Sequence, residues 1–202
     1  MKTVELKCAQ EFYDNGQLKS ESYWLDDILH YDNGPAYRSW YENGQVEFEQ
    51  YWVNGNRHNV NGPAFRAWYE SGQIIVEQYW LKGKLHNENG PAYRGWNTHG
   101  QIECEQYYLN DKLHNDNGPA VRTWHDNGQL MTEGYWVNGI YHNDNGPAFQ
   151  RYGDNGQVQY ETYWVNGVKL SKEEFENRNA PSCANRQVVI DGVSYTRTPI
   201  KE

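Results

Sequence analysis

No run of apolar residues in this 202-residue chain approaches the roughly 18 that a membrane-spanning helix requires. The first residues, MKTVELKCAQEFY, lack the apolar stretch of a secretory signal. Cysteine is scarce: Cys8, Cys104 and Cys183 stand far apart, with neither a disulfide framework nor a Cys-x-x-Cys metal motif. These absences point to a reducing, intracellular and cytoplasmic setting. Positive charge is also short, since 18 Lys and Arg against 27 Asp and Glu leave a net charge of −9. Nucleic-acid binders need a basic face to displace counterions, so nucleic acid is set aside as a partner. Flat contact with anionic lipid needs clusters of Lys or Arg, so a membrane ranks second to protein. Phe (5) and Met (2) are few, whereas Trp (9), Tyr (17) and Gly (19) are plentiful. Such a balance favours strands and turns over a helical core.

What the chain does have is strict repetition. Asn-Gly-Pro-Ala begins at Asn33, Asn61, Asn89, Asn117 and Asn145, always 28 residues on. Gly-Gln recurs in the same step from Gly16 to Gly156, followed each time by a Glu and a Tyr. All nine Trp occupy two repeat slots, one beginning at Trp40 and the other at Trp24. A fixed period of this size marks a linear array of identical units. Five full units cover residues 31–170, and residues 1–30 form a leading partial unit that caps the array.

Within a unit the signals are those of strands. PAYRSWYE and QVEFEQYWV flank Asn43-Gly44, a strong hairpin signal if both residues take positive φ in a two-residue turn. On that rule paired residue numbers sum to 87. Arg38 then faces Glu49 and Trp40 faces Glu47; the copies pair Arg66 with Glu77, Arg94 with Glu105 and Arg122 with Glu133. Gln10 and Gln150 stand opposite Glu21 and Glu161 in the outer units. Cross-strand pairs of this kind contribute about 0.2–1 kcal/mol each. They are expected to form a structural ladder that fixes register. A second tight turn falls at Asn54-Gly55, with copies at Lys82-Gly83, Asn138-Gly139 and Asn166-Gly167, and with Asp26-Asp27 and Asn110-Asp111 lacking Gly.

The run YWVNGNRHNVNGPAFRAWYESGQ resembles a MORN repeat, with its Tyr, Asn-Gly, His and spaced Gly turns, and residues 79–101 fit equally well. The LHNxNGPA variety is similar to repeats of large DNA viruses of amoebae and of some bacteria. The likeness extends over roughly residues 13–170, with a period longer than the usual unit. It implies an all-β, elongated, single-layer antiparallel sheet, one hairpin per repeat. It also implies work in assembly, tethering or at membranes rather than catalysis; a viral chain would act in the host cell or virion.

The side chains that tempt a chemical reading are better explained by the scaffold. Five His, from His30 to His142, invite a metal. Two strands per unit separate successive copies by about 10 Å, too far for two nitrogens to share one zinc at about 2.1 Å. The turn at Asn54-Gly55 places His58 opposite Tyr51, which predicts a stacked or hydrogen-bonded structural pair. The recurring Glu are claimed by the Arg column, and no nucleophile elbow, P-loop or His-Glu-x-x-His occurs. Neither a catalytic residue nor a cofactor or metal site is expected. Trp and Tyr columns are read as the core of a sheet with little interior; an aromatic groove for carbohydrate, single-stranded nucleic acid or peptide is the competing reading. Slots that differ between copies are the candidate partner contacts: Phe48 and Val76 in one, Arg57 and Tyr141 in another.

At the front, TVELKCAQEFY alternates with period two and predicts an edge strand whose Lys2, Glu5, Lys7 and Glu11 discourage edge pairing. Behind the array, Ser171 and Glu174 form a capping box that opens a helix over 171–178, with Phe175 folding onto the last hairpin. Residues 179–202 are a linker and a hairpin about Asp191-Gly192. There Val188, Ile190 and Tyr195 share an apolar face that needs a partner. The function predicted is a non-enzymatic scaffold for protein interaction or assembly, self-associating as a homodimer through this tail. The alternatives are a peripheral membrane module and the aromatic-groove binder.

Overall fold

The computed structural model describes residues 5–178, 187–190 and 193–196. It is nearly all β. One open antiparallel sheet of 14 strands runs the length of the array. The sheet begins with β1 (Leu6–Phe12) and β2 (Leu18–Leu25). Two strands per repeat follow, such as Tyr37–Trp40 with Val46–Gln50, ending at Phe149–Tyr152 and Val158–Val165. Each of these units also carries a second, shorter ribbon, as in Trp52–Val53 paired with Asn56–Arg57. The resemblance implies one hairpin per repeat, and the predicted second turn adds a short one beside the long one in the sheet. In that turn Asn54 and Gly55 both take positive φ, 50° and 73°. These values suit the tight turn whose twist matches the strands. Asp26, Asp27, Asn110 and Asp111 also adopt positive φ, so the turn survives without Gly.

The first turn departs from the sequence reading. Tyr41 N–H donates to the Gln45 carbonyl at 2.8 Å, and Gly44 N–H to the Tyr41 carbonyl at 2.9 Å. Only Gly44 of the turn takes positive φ, 86°. The loop therefore has three residues, Glu42-Asn43-Gly44, with the Asn43 side chain accepting the Gln45 N–H at 2.9 Å. Trp40 stands opposite Val46, not Glu47. Glu47 is an extra residue on its strand, a bulge, and its carboxylate accepts the Ser39 hydroxyl at 2.9 Å. Beyond the bulge the pairing returns to Arg38 opposite Glu49.

That row continues across every hairpin and between repeats. Gln10, Glu21, Arg38, Glu49, Arg66, Glu77, Arg94, Glu105, Arg122, Glu133, Gln150 and Glu161 stand side by side from one end of the sheet to the other. It lies on the inner face, which the His-Asn-x-Asn-Gly-Pro loops fold over. Each loop is closed by its Asn: Asn59 donates to the Pro63 carbonyl and accepts the Asn61 N–H, both at 3.0 Å, and Asn87, Asn115 and Asn143 repeat the pattern.

The most deeply buried residues are not the aromatics that were expected to be the core. They are the five Ala of Gly-Pro-Ala, namely Ala36, Ala64, Ala92, Ala120 and Ala148, each with no exposed surface. All nine Trp are half-buried. A single sheet under short loops has room for a methyl group where the loop meets the strand, and large rings can only lie along the surface. Behind the last repeat, α1 (Lys172–Asn177) starts in the predicted capping box: Ser171 N–H meets the Glu174 carboxylate at 2.7 Å, and Glu174 N–H the Ser171 hydroxyl at 3.2 Å. Phe175 is buried, its ring 4.8 Å from that of Tyr163. The C-terminal strands Gln187–Ile190 and Val193–Thr196 pair antiparallel.

Candidate interaction surface

The ladder residues hold each other in place. Arg94 meets Glu105 at 2.8 Å and Arg66 meets Glu77 at 3.5 Å, while Arg38 is bonded to Glu49. The Arg38 and Arg94 guanidinium groups also lie 5.8 Å from the rings of Trp40 and Trp96. Arg122 stands opposite Glu133, but that carboxylate accepts the Tyr152 hydroxyl at 2.7 Å. Burial and this carboxylate hold the Tyr152 phenol far above its ordinary range.

The His column stitches repeat to repeat. His58 N–H donates to the Tyr51 carbonyl at 3.0 Å, as the pairing rule requires, but its ring bonds elsewhere. Nδ1 accepts the N–H of Lys82, first residue of the next repeat's tight turn, at 3.2 Å. His30, His86, His114 and His142 do the same with Asn54, Asn110, Asn138 and Asn166, at 3.0–3.3 Å. In those four, Nε2 lies 3.2–3.4 Å from Asp32, Glu88, Asp116 or Asp144. A pairing rule confined to one hairpin could not find this bond, because its partner lies 24 residues on. Among the described residues no group of three or more His, Cys, Asp and Glu is gathered to hold a metal ion. Burial raises the Cys104 thiol away from the reactive thiolate.

The outer face is different. Trp52 shares it with Gln50 two residues before, to whose side chain its indole N–H donates at 2.9 Å. Trp80 and Gln78 repeat the bond at 3.0 Å, and Trp24 and Trp164 use Ser22 and Thr162. Between one Trp and the next sits the variable slot of the second turn. Arg57 pairs across its ribbon with Trp52, and its guanidinium lies 5.3 Å from Trp52, 5.4 Å from Trp80 and 5.1 Å from Phe65. This partial burial lowers the Arg57 pKa. Tyr141 is inserted in the same way, 4.1 Å from Trp136 and 5.6 Å from Trp164. Half-buried Trp, replaced once by Tyr108, and variable residues thus alternate along one edge of the outer face, from Trp24 to Lys169.

The other variable slots converge as well. Ser20, Ser39, Phe48, Ala67, Val76, Gly95, Cys104, Thr123, Thr132, Arg151 and Tyr160 form a single row through the sheet. Their sizes are matched. Phe48 lies between Ser39 and Ala67, with its ring 5.4 Å from Tyr37, and Val76 lies between Ala67 and Gly95. Phe48 is half-buried and Val76 buried, whereas Arg151 and Tyr160 are exposed. Sequence reasoning found each slot but not their union, since strand order between repeats is not written in a period. In the C-terminal hairpin Val188 pairs with Tyr195 and Ile190 with Val193; the side chains of Val188, Ile190 and Tyr195 lie outside the described residues.

A model of the MORN repeat variant matches residues 7–26, 36–54 and 120–138. Each matched stretch covers the two sheet strands of one repeat and runs into its tight turn. Repeats of this kind are generally modules for protein or membrane interaction, of a non-enzymatic scaffold type. No curated protein and no solved structure matches the chain.

Proposed function

We propose that this array of MORN-variant repeats is a non-enzymatic scaffold for protein–protein interaction, and that its contact surface is the outer face of the sheet. The observation that carries the reading is the alternation of Trp with non-repeating residues along that face. Trp, Tyr and Arg are the side chains on which interface energy concentrates. Held by stacking and by indole hydrogen bonds, they lose little freedom when a partner docks. Arg57 and Tyr141 break the monotony of the array and so give a partner a register. Phe48 and Val76 shape the neighbouring row. Val188, Ile190 and Tyr195 of the C-terminal hairpin belong to the same reading as a second contact, on the strength of their alternation in sequence.

The net charge of −9 favours protein over an anionic membrane, and no helix among the described residues is long and apolar enough to cross one. The test compares proteins captured by the wild-type chain and by Arg57→Glu and Tyr141→Ala, with Lys84→Ala as the exposed control. Partners lost with both outer-face variants and kept with the control support the surface. Equal capture by all four removes it. Flotation of the chain with vesicles containing phosphatidylserine, in the absence of protein, would favour the membrane reading.

A further inference from the structure

The N-terminal edge of the sheet is unlike its interior. First strands of the inner repeats have four residues, such as Tyr37–Trp40, whereas β1 has seven, Leu6–Phe12, all exposed. Among the described residues nothing pairs with its outer side. Leu6 and Phe12, at its two ends, are 43% and 58% exposed. Proteins ordinarily keep such edges short or break them.

The direction of the backbone groups of β1 follows from its hairpin. Tyr13 turns both N–H and carbonyl toward β2, so by alternation along the strand Glu11, Ala9 and Lys7 face β2. Leu6, Cys8, Gln10 and Phe12 direct theirs outward. The carbonyl of the equivalent of Cys8 one repeat later points the same way, for the Ala36 carbonyl accepts Tyr23 N–H of the preceding strand at 2.8 Å.

We propose that this edge is a homodimer interface, in which β1 pairs antiparallel with β1 of a second copy about a two-fold axis at Ala9. In that register Cys8 faces Gln10 of the partner copy and Leu6 faces its Phe12, in both senses. All four outward residues are thereby used, giving about eight backbone hydrogen bonds. Lys7 faces Glu11, twice. Moving the axis to Gln10 leaves Lys7 opposite Tyr13, and moving it to Cys8 sets Glu5 against Glu11. Only the Ala9 register pairs opposite charges and joins the exposed Leu and Phe. The charges that discourage pairing at random registers thus select one. The ladder position of the edge strand carries Gln10, bonded to Glu21 at 2.8 Å, where the next four repeats carry Arg. The end of the ladder therefore meets its copy without like charge.

The experiment is sedimentation equilibrium of the full chain under reducing conditions, with circular dichroism to check folding. The wild type, 23.7 kDa per chain, sediments as a dimer. Lys7→Glu sets like charges together twice and weakens the dimer about tenfold; Lys7→Glu with Glu11→Lys restores it. Cys8→Pro removes an outward N–H without touching the bonds to β2, and yields a folded monomer. A wild-type monomer at every concentration overturns the proposal. So does a dimer indifferent to Cys8→Pro, which places association elsewhere, or a double charge variant as weak as the single one, which rejects the register.

Discussion

Glu105 is among the most buried charged residues of the array, 9% exposed, and its partner Arg94 is about one-third exposed. Arg94→Ala leaves a buried carboxylate without its cation and strips a stem from the sheet, a loss of about 1–3 kcal/mol. Lys84→Ala, at an exposed position after a tight turn, should cost within about 0.5 kcal/mol. Arg122→Ala falls between them, because Glu133 keeps the Tyr152 hydroxyl. Denaturant melts of the three variants check this order; equal midpoints would contradict the ladder. The His column makes a second prediction at this scale. Nδ1 accepts a backbone N–H in all five rings, so the neutral proton must sit on Nε2. Long-range ¹H–¹⁵N spectra should show the Nε2–H tautomer at His30, His58, His86, His114 and His142. A set of Nδ1–H rings would break the stitch between repeats.

At the scale of one turn, Lys82 is the exception. It holds φ of 51°, where four other copies carry Asn. The left-handed region costs an ordinary side chain about 1 kcal/mol more than Asn or Gly. The Lys82 N–H bonded to His58 is backbone and survives substitution. Lys82→Asn should therefore raise stability by about 0.5–1 kcal/mol, read as an upward shift of the melting midpoint; a downward shift would mean that the Lys side chain is needed. This turn was legible from Asn54-Gly55 because it occupies two residues and nothing compensates it. The first turn was not. A loop one residue longer than assumed moved Trp40 from Glu47 to Val46, and the bulge at Glu47 moved the pairing back. The ladder thus emerged from two errors of opposite sign. Periodicity cannot expose such a pair, since every copy contains both. The Ala core was hidden for another reason: burial of Ala64 depends on a loop closed by Asn59 over a strand, and composition alone directs attention to Trp. The fold was legible because strands and turns are local; the row joining Phe48 and Val76 was not, because it needs the order of strands between repeats.

Over the whole molecule, six hairpins side by side at about 10 Å each give a sheet of roughly 60 Å. A compact chain of this length would have a radius of gyration near 17 Å. Small-angle scattering of the Cys8→Pro variant, which isolates one chain, should return a clearly larger value; 17 Å would contradict an open sheet. Such an array has no deep interior, and among its described residues no large side chain is wholly buried. Several of its phenols are nevertheless protected. Burial, then the Glu21 carboxylate, pushes Tyr23 up to about 12, and burial also raises Tyr41, Tyr93, Tyr108, Tyr135, Tyr141 and Tyr163. The unfolded chain loses these protons near pH 10. Between there and the higher folded values the native state binds more protons than the unfolded one, so stability falls as pH rises. The contribution is complete below about pH 10 and drains away through about 12. Because raised tyrosines occur from the first repeat to the last, the effect belongs to the array rather than to a site. The melting temperature should fall steadily above pH 10, and alkaline unfolding should bring a further rise in phenolate absorbance at 295 nm as the raised tyrosines are released. A chain that keeps its β-sheet circular dichroism while its phenolate absorbance already equals that of the unfolded chain would show these raised rings to be open to water. It would remove burial of the aromatic columns as a source of stability.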